Sequence, residues 1–236
     1  MNGSDANVGF QTKGETMSQY SIARRTMLDN QIRTTDVTDA AVLASFGDVP
    51  RELFVAPHLQ SLAYTDVEHR LTDGAPGRWL MAPSPLAKLI QLLAPVPSDK
   101  VLVVGSGSGY SVAILAALAT SVVGLEADPA LVASSTATLA GLGLSNATVV
   151  EGVLANGYAG AAPYQAILVE GAIDVLPEAI TDQLAEGGRL VVVEGRGASA
   201  TAKLYVKTSG LVTGRTVFNC SAKPLPGFER AAEFVF

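Results

Sequence analysis

Residues Val101 to Ala113 read VLVVGSGSGYSVA, and VVGLEADP follows from Val122 to Pro129. An apolar run of strand formers, Val101 to Val104, leads into glycines at alternate positions, Gly105, Gly107 and Gly109. A segment with helical spacing comes next, then a second apolar run with Glu126 at its end. Strand, glycine loop, helix, strand and acidic tip form the first half of a nucleotide-binding α/β unit. Without a Cβ, glycine takes φ > 0 freely and lets backbone approach a ligand closely. A carboxylate at the second strand's tip is placed to accept hydrogen bonds from two ribose hydroxyls. The stretch therefore predicts an adenosine-containing ligand.

Beyond Lys100 the pattern continues to alternate. Strands are predicted at 100–104, 121–125, 147–151, 165–169 and 189–194, with helices near 109–119, 129–142 and 175–185. Near-continuous Val, Leu and Ile strands separated by helices imply a parallel sheet covered on both faces. Two alternating runs, AKLYVKTSG and LVTGRTVFN, meet at Ser209-Gly210 and predict a β-hairpin; PLPGFERAAEFVF is expected as a final strand. Upstream, residues 1–20 are expected to be a disordered tail, with helical character from near Ser21. Asp36 or Thr38 is the expected cap of the helix VTDAAVLASFGDV. Segment RELFVAPHLQSLAYTDVEHRL reads as a short helix and then loop. TDGAPGRWLMAPSP reads as an exposed loop leading into the helix PLAKLIQLLAPV.

A net charge of −6 with no basic stripe argues against nucleic acid as the main partner. One cysteine, Cys220, excludes an intramolecular disulfide and a zinc cluster, and it is expected to be buried. His58 and His69 lie eleven residues apart, match no metal-ligand spacing and are expected in loops or at the surface. No apolar signal-peptide core and no run of about 18 apolar residues is present, so no membrane association is expected. A reducing cytoplasm is the expected compartment.

A dinucleotide fingerprint spaces its glycines G-x-G-x-x-G. Here the third glycine comes one residue early, and Glu126 lies 17 residues beyond Gly109. That spacing suits methyltransferases that use S-adenosylmethionine. MLDNQIRTTDVTD, VLASFGDVPRELFV, AYTD, VGSGSGYSVAILA and ITDQLAEGGRLVVV together resemble the protein-L-isoaspartate O-methyltransferase family, over about residues 24–196. The resemblance implies a Rossmann-like α/β fold: a seven-stranded mixed sheet with helices on both faces and an N-terminal helical extension. It implies one methyltransferase domain at 21–236. Within it, 21–98 form a helical cap and substrate loop, 99–200 a cofactor-binding core, and 201–236 a hairpin and last strand. It also implies methyl transfer from S-adenosylmethionine to isoaspartyl residues of damaged proteins, with a non-catalytic or substrate-altered relative as the alternative. Gly105, Ser106, Gly107, Ser108, Gly109 and Tyr110 would then form the cofactor loop, with Glu126 at the ribose and Gly152 and Val153 near the adenine.

The chain departs from that family at three places. Trp79-Leu80-Met81-Ala82-Pro83 stands where a threonine, a serine and a proline mark the substrate loop, which makes Trp79, Met81 and Pro83 the substrate-loop candidates. A thioether at Met81 cannot donate the hydrogen bond of the serine it replaces. Val153 stands in place of the acid near the adenine, and Val103 in place of an acid in the first strand. Arg78 reads as a solvated loop residue or a carboxylate attractor. Glu170 and Asp174 follow the fourth strand near the ligand edge, either in the site or in a solvated turn.

Overall fold

The computed structural model describes residues 13–230, with side chains from residue 19 onward. Residues 1–12, and 231–236 of the expected last strand, lie outside the described residues. Helix α1 spans Lys13–Met27, beginning earlier than expected, and continues through a π-turn at Leu28–Ile32 and a 3₁₀ turn at Arg33–Thr35. Helix α2, Ala40–Asp48, is capped by neither Asp36 nor Thr38. Its cap is Asp39, whose carboxylate accepts from Ala41 N and Val42 N at 2.9 Å each. Asp36 instead ends the preceding turn in a left-handed conformation, φ 67°. Two 3₁₀ turns, Arg51–Phe54 and Pro57–Leu62, follow in place of the expected short helix.

The stretch read as an exposed loop is partly ordered and partly buried. Strands β1, His69–Arg70, and β2, Trp79–Leu80, pair antiparallel, and Arg78, Leu80 and Met81 are buried. Helix α3, Pro83–Leu93, then leads into the main sheet. Its elements in chain order are β3 (Lys100–Val104), α4 (Tyr110–Ala116), β4 (Ser121–Glu126), α5 (Pro129–Gly141) and β5 (Ala147–Glu151). They continue with β6 (Tyr164–Ile173), α6 (Glu178–Thr181), β7 (Leu184–Glu194), β8 (Thr201–Thr208) and β9 (Leu211–Asn219). The strands lie in the order β5-β4-β3-β6-β7-β8-β9, parallel from β5 to β7 and antiparallel at the β8–β9 end.

Period-two alternation splits the core cleanly. Val101 and Val103 of β3, with Leu168 and Val191, pack with α3, α4 and the N-terminal helices. Leu102 and Val104, with Ile167, Val169, Leu190 and Val192, pack on the other face with Ile180 of α6, Leu225 and Phe228. Full burial of each such side chain contributes about 1.5–3 kcal/mol. Because both faces are covered, Val101–Val104 of β3 and Ala166–Val169 of β6 are apolar at every position.

Three elements differ from expectation. The helix expected at 175–185 shrinks to α6, because β7 begins at Leu184, opposite Tyr164. The strand expected at 189–194 extends back to Leu184, because Gly187-Gly188 forms an irregularity inside β7 and does not end it, with Gly187 at φ 73°. The described part of the expected last strand makes only an isolated bridge, Pro224 beside Ala172.

Candidate active site

Val104 pairs with Leu125 on one side and Val169 on the other, so Gly105, Glu126 and Glu170 lie side by side toward the carboxyl edge of the sheet. The chain runs from β3 directly to β4 on one flank and reaches β6 on the other only later. Such a switch point is where open α/β sheets receive ligands. Gly105, Gly107 and Gly109 take φ 77°, 55° and 89°, a region that a side chain would strain. The amides of Gly105 and Ser106 donate to Leu125 O at 2.8 and 3.1 Å and pin the loop to the end of β4.

Glu126 is fully buried and densely hydrogen-bonded. Gly107 N donates to Oε2 at 2.8 Å, and Ala127 N and Asp128 N donate to Oε1 at 2.9 and 3.2 Å. Arg78 adds a fork: Nε to Oε1 at 3.1 Å and Nη2 to Oε2 at 2.8 Å, with Nη2 also reaching Gly105 O at 2.8 Å. Burial pushes the Glu126 carboxyl upward, but Arg78 and the amides outweigh it and hold it below the usual carboxylate range. Arg78, read as a solvated loop residue or an attractor of a substrate carboxylate, is instead buried against a carboxylate of this chain.

Side chains from two segments cover the glycine loop. A Cβ built on Gly105 would lie 2.6 Å from Leu225 Cδ1, and one on Gly107 would lie 2.9 Å from Leu71 Cδ1. Beside this cover, a cavity of about 410 Å³ opens between Gly152, Val153 and Leu154 on one wall and Pro226 and Gly227 on the other. Val153 is exposed there, and Val103 is fully buried in the core. Ser106 and Ser108 are buried with hydroxyls that lack a partner among the described residues. Tyr110 belongs to the core: Phe46 and Phe54 meet its ring edge-on at 5.9 and 5.4 Å, and the Arg51 guanidinium lies over it at 4.8 Å.

The substrate-loop candidates scatter in role. Pro83 is the first residue of α3. Met81 is buried, and its carbonyl accepts from Arg51 Nη2 at 2.7 Å. Trp79 is half-buried, with the Arg70 guanidinium 5.5 Å and the Lys223 ammonium 4.9 Å from its ring centre. Arg78, Trp79, Met81, Glu170 and Lys223 surround a cavity of about 10 Å³, room for one water-sized group.

Glu170 stands inside β6 and is buried, not in a solvated turn. Leu168 faces Val191 and Ala172 faces Val193, so Val169, Glu170 and Gly171 oppose Val192 alone. A bulge of this kind re-aims a side chain. Ser111 Oγ of α4 donates to Glu170 Oε2. Burial raises the Glu170 carboxyl to about 7, against the lowering effects of Ser111, Arg78 and Arg51. Asp174 points away from this cluster and pairs with Arg196. His58 is exposed, but His69 is buried, with Nε2 unpartnered among the described residues. Cys220 is buried, and burial raises its thiol to about 11.

Comparison with known proteins identifies the family and the fold. The family described as Protein-L-isoaspartate(D-aspartate) O-methyltransferase (PCMT) matches residues 23–228. A protein-L-isoaspartate O-methyltransferase of Methanoregula boonei is 42% identical over 172 residues, 73% of this chain and 78% of that protein. One from Koribacter versatilis is 34% identical over 211 residues, 89% and 94% of the two chains. A solved protein-L-isoaspartate O-methyltransferase superposes with a TM-score of 0.76 at 25% identity, over 86% of this chain and 66% of that one. The fold also matches, at a TM-score of 0.70 and 20% identity, a Plasmodium falciparum protein described as a putative member, solved with S-adenosyl-L-homocysteine; the match covers 87% of this chain and 97% of that one.

Proposed function

The chain belongs to the protein-L-isoaspartate O-methyltransferase family, and on that premise we propose that it methylates the free carboxylate of isoaspartyl residues in damaged proteins, with S-adenosylmethionine as donor. The observation that carries the reading is the glycine loop with buried Glu126 at the carboxyl edge of the sheet. The residues present fit the donor. The three glycines carry no side chain that would block backbone contact along the loop, Glu126 ends β4 where a ribose would lie, and the neighbouring cavity is within the usual size of a ligand pocket. Gly105, Ser106, Gly107, Ser108 and Gly109 would hold the methionine half and Glu126 the ribose. Gly152 and the exposed Val153 would flank the adenine, and Tyr110 would support the loop from the core. Arg78 must release Glu126 before a ribose can take its place. When bound, the donor supplies a methyl group already activated on a sulfonium.

Little else is asked of the protein. Free carboxyl groups have pKa values near 3–4, so the acceptor is ionised at neutral pH and needs no general base. The chain's contribution is to orient the acceptor and exclude water. Trp79 and Met81 present apolar surface where the acceptor would lie, beside Pro83 at the start of α3. We take 21–236 as one catalytic unit acting on protein or peptide in the cytoplasm, a compartment that suits the lone buried Cys220.

Calorimetry with S-adenosylhomocysteine and label transfer to an isoaspartyl peptide test the reading. Micromolar binding that Glu126→Ala abolishes, together with peptide labelling, is expected. A second reading, a non-catalytic relative, is favoured by the Arg78 fork on Glu126 and by Met81 in the acceptor position. Absence of binding heat in both the natural chain and Arg78→Gln would decide for it.

A further inference from the structure

We propose that the carboxylic acid of Glu170 receives the acceptor carboxylate and donates the hydrogen bond that Met81 cannot. The inference rests on the isoaspartate reading above and assigns a substrate-binding residue within it.

Position comes first. Glu170 lies within β6 directly beside the start of the glycine loop, so its side chain borders the place where methyl donor and acceptor would meet. The bulge at Val169–Gly171 sets its direction. A Cβ on Gly171 would lie 3.0 Å from Leu225 Cβ and 3.3 Å from Lys223 O, so this backbone is closely packed and fixed. Glu170 and Met81 line the same small cavity, which puts an acid beside a side chain that offers no donor.

Chemistry comes second. The charged groups around Glu170 come from every neighbouring element. Arg78 precedes β2 and is bound to Glu126; Arg51 lies in the 3₁₀ turn below; Lys223 and Glu68 stand across the cavity; Tyr110 and Ser111 lie on α4. Even among these cations, burial keeps the carboxyl protonated to about pH 7. A protonated acid facing a carboxylate makes a short, charge-assisted O–H···O⁻ bond. Once ionised, the same group repels the acceptor. Glu170 keeps its proton throughout, since the acceptor arrives as an anion and leaves as a neutral ester. The cavity holds only a water-sized group, so the acceptor enters when the Arg78–Met81 segment lifts, the same movement that frees Glu126.

The test is steady-state methylation of an isoaspartyl peptide by the full chain, from about pH 6 to 8.5, with Glu170→Gln and Glu170→Ala, each checked for folding by thermal melting. For the natural chain, kcat/KM is expected to fall up to about tenfold per pH unit above neutrality, chiefly through KM. Glu170→Gln keeps a donor, so its profile should be flat and within about threefold of the natural chain at low pH. Glu170→Ala should raise KM about tenfold at low pH while S-adenosylhomocysteine affinity is unchanged. An unchanged pH profile in Glu170→Gln, or a natural KM in Glu170→Ala, overturns the role of Glu170 alone. Failure of the natural chain to label the peptide at any pH overturns the isoaspartate reading and this assignment with it.

Discussion

Arg51 and Glu126 are both charged and both sealed from water, and the chain keeps each in a different way. Glu126 is held by three amides and a guanidinium. Arg51 has no carboxylate in hydrogen-bond contact among the described residues: Nε donates to Ala63 O at 2.8 Å, Nη2 to Met81 O, and the Tyr110 ring covers its face. Burial lowers its pKa, against the raising effect of Tyr110. By tying residue 63 to residue 81, Arg51 fixes the chain on both sides of the β1–β2 ribbon. Arg51→Leu is expected to lower unfolding free energy by about 3 kcal/mol in urea titration, since two charge-assisted bonds are lost. Glu126→Gln should cost a similar amount, about 3 kcal/mol, because it leaves Arg78 buried beside a neutral partner. The place of Glu126 at the end of a strand was legible in the sequence, from the apolar run that precedes it. Arg78 was not, because its partner lies 48 residues away and nothing local distinguishes it from a solvated arginine.

At the scale of elements, the β1–β2 ribbon and the tail from Cys220 to Phe228 together cover a loop whose glycines leave it open. Arg78 is the ribbon's polar anchor. Arg78→Gln weakens the fork on Glu126 while keeping a polar side chain of similar reach. Titration of this variant with S-adenosylhomocysteine should therefore give an affinity about tenfold or more above that of the natural chain, one ion pair's worth of competition removed. Unchanged affinity would mean that the ribbon does not compete with ligand. The strands were readable from their apolar runs, and α3 and α5 from their proline starts and apolar content. The β6 bulge and the early start of β7 were not. Both arise from register between strands, which no single segment encodes. The ribbon was missed because two-residue strands carry no periodicity.

For the molecule as a whole, the seven-stranded mixed sheet and the N-terminal helical layer followed from the alternation of runs and from the family resemblance, whereas the order of the strands across the sheet did not. Stability should carry the imprint of Glu170. Its carboxyl is raised from 4.5 to about 7, so the folded chain binds a proton that the unfolded chain releases sooner. That contribution is complete below about 4.5 and is lost as pH rises through about 7. Glu170→Gln has no such loss. Across that window its unfolding free energy should gain on that of the natural chain, by up to roughly 1.4 kcal/mol per pH unit, and its melting temperature should rise relative to it. A constant gap between the two melting curves would place the Glu170 proton elsewhere.

At Ala172 of β6 the tail is held by a pair of backbone hydrogen bonds, Ala172 N to Lys223 O at 2.9 Å and Leu225 N to Ala172 O at 2.8 Å. Leu225 is also the residue pressed onto Gly105. An occupant of the loop must displace that side chain, and the two amides share its fate. Their deuterium uptake thus becomes a clock for the cradle: slow while Leu225 is seated, faster when ligand is added, and readable without following any methyl group.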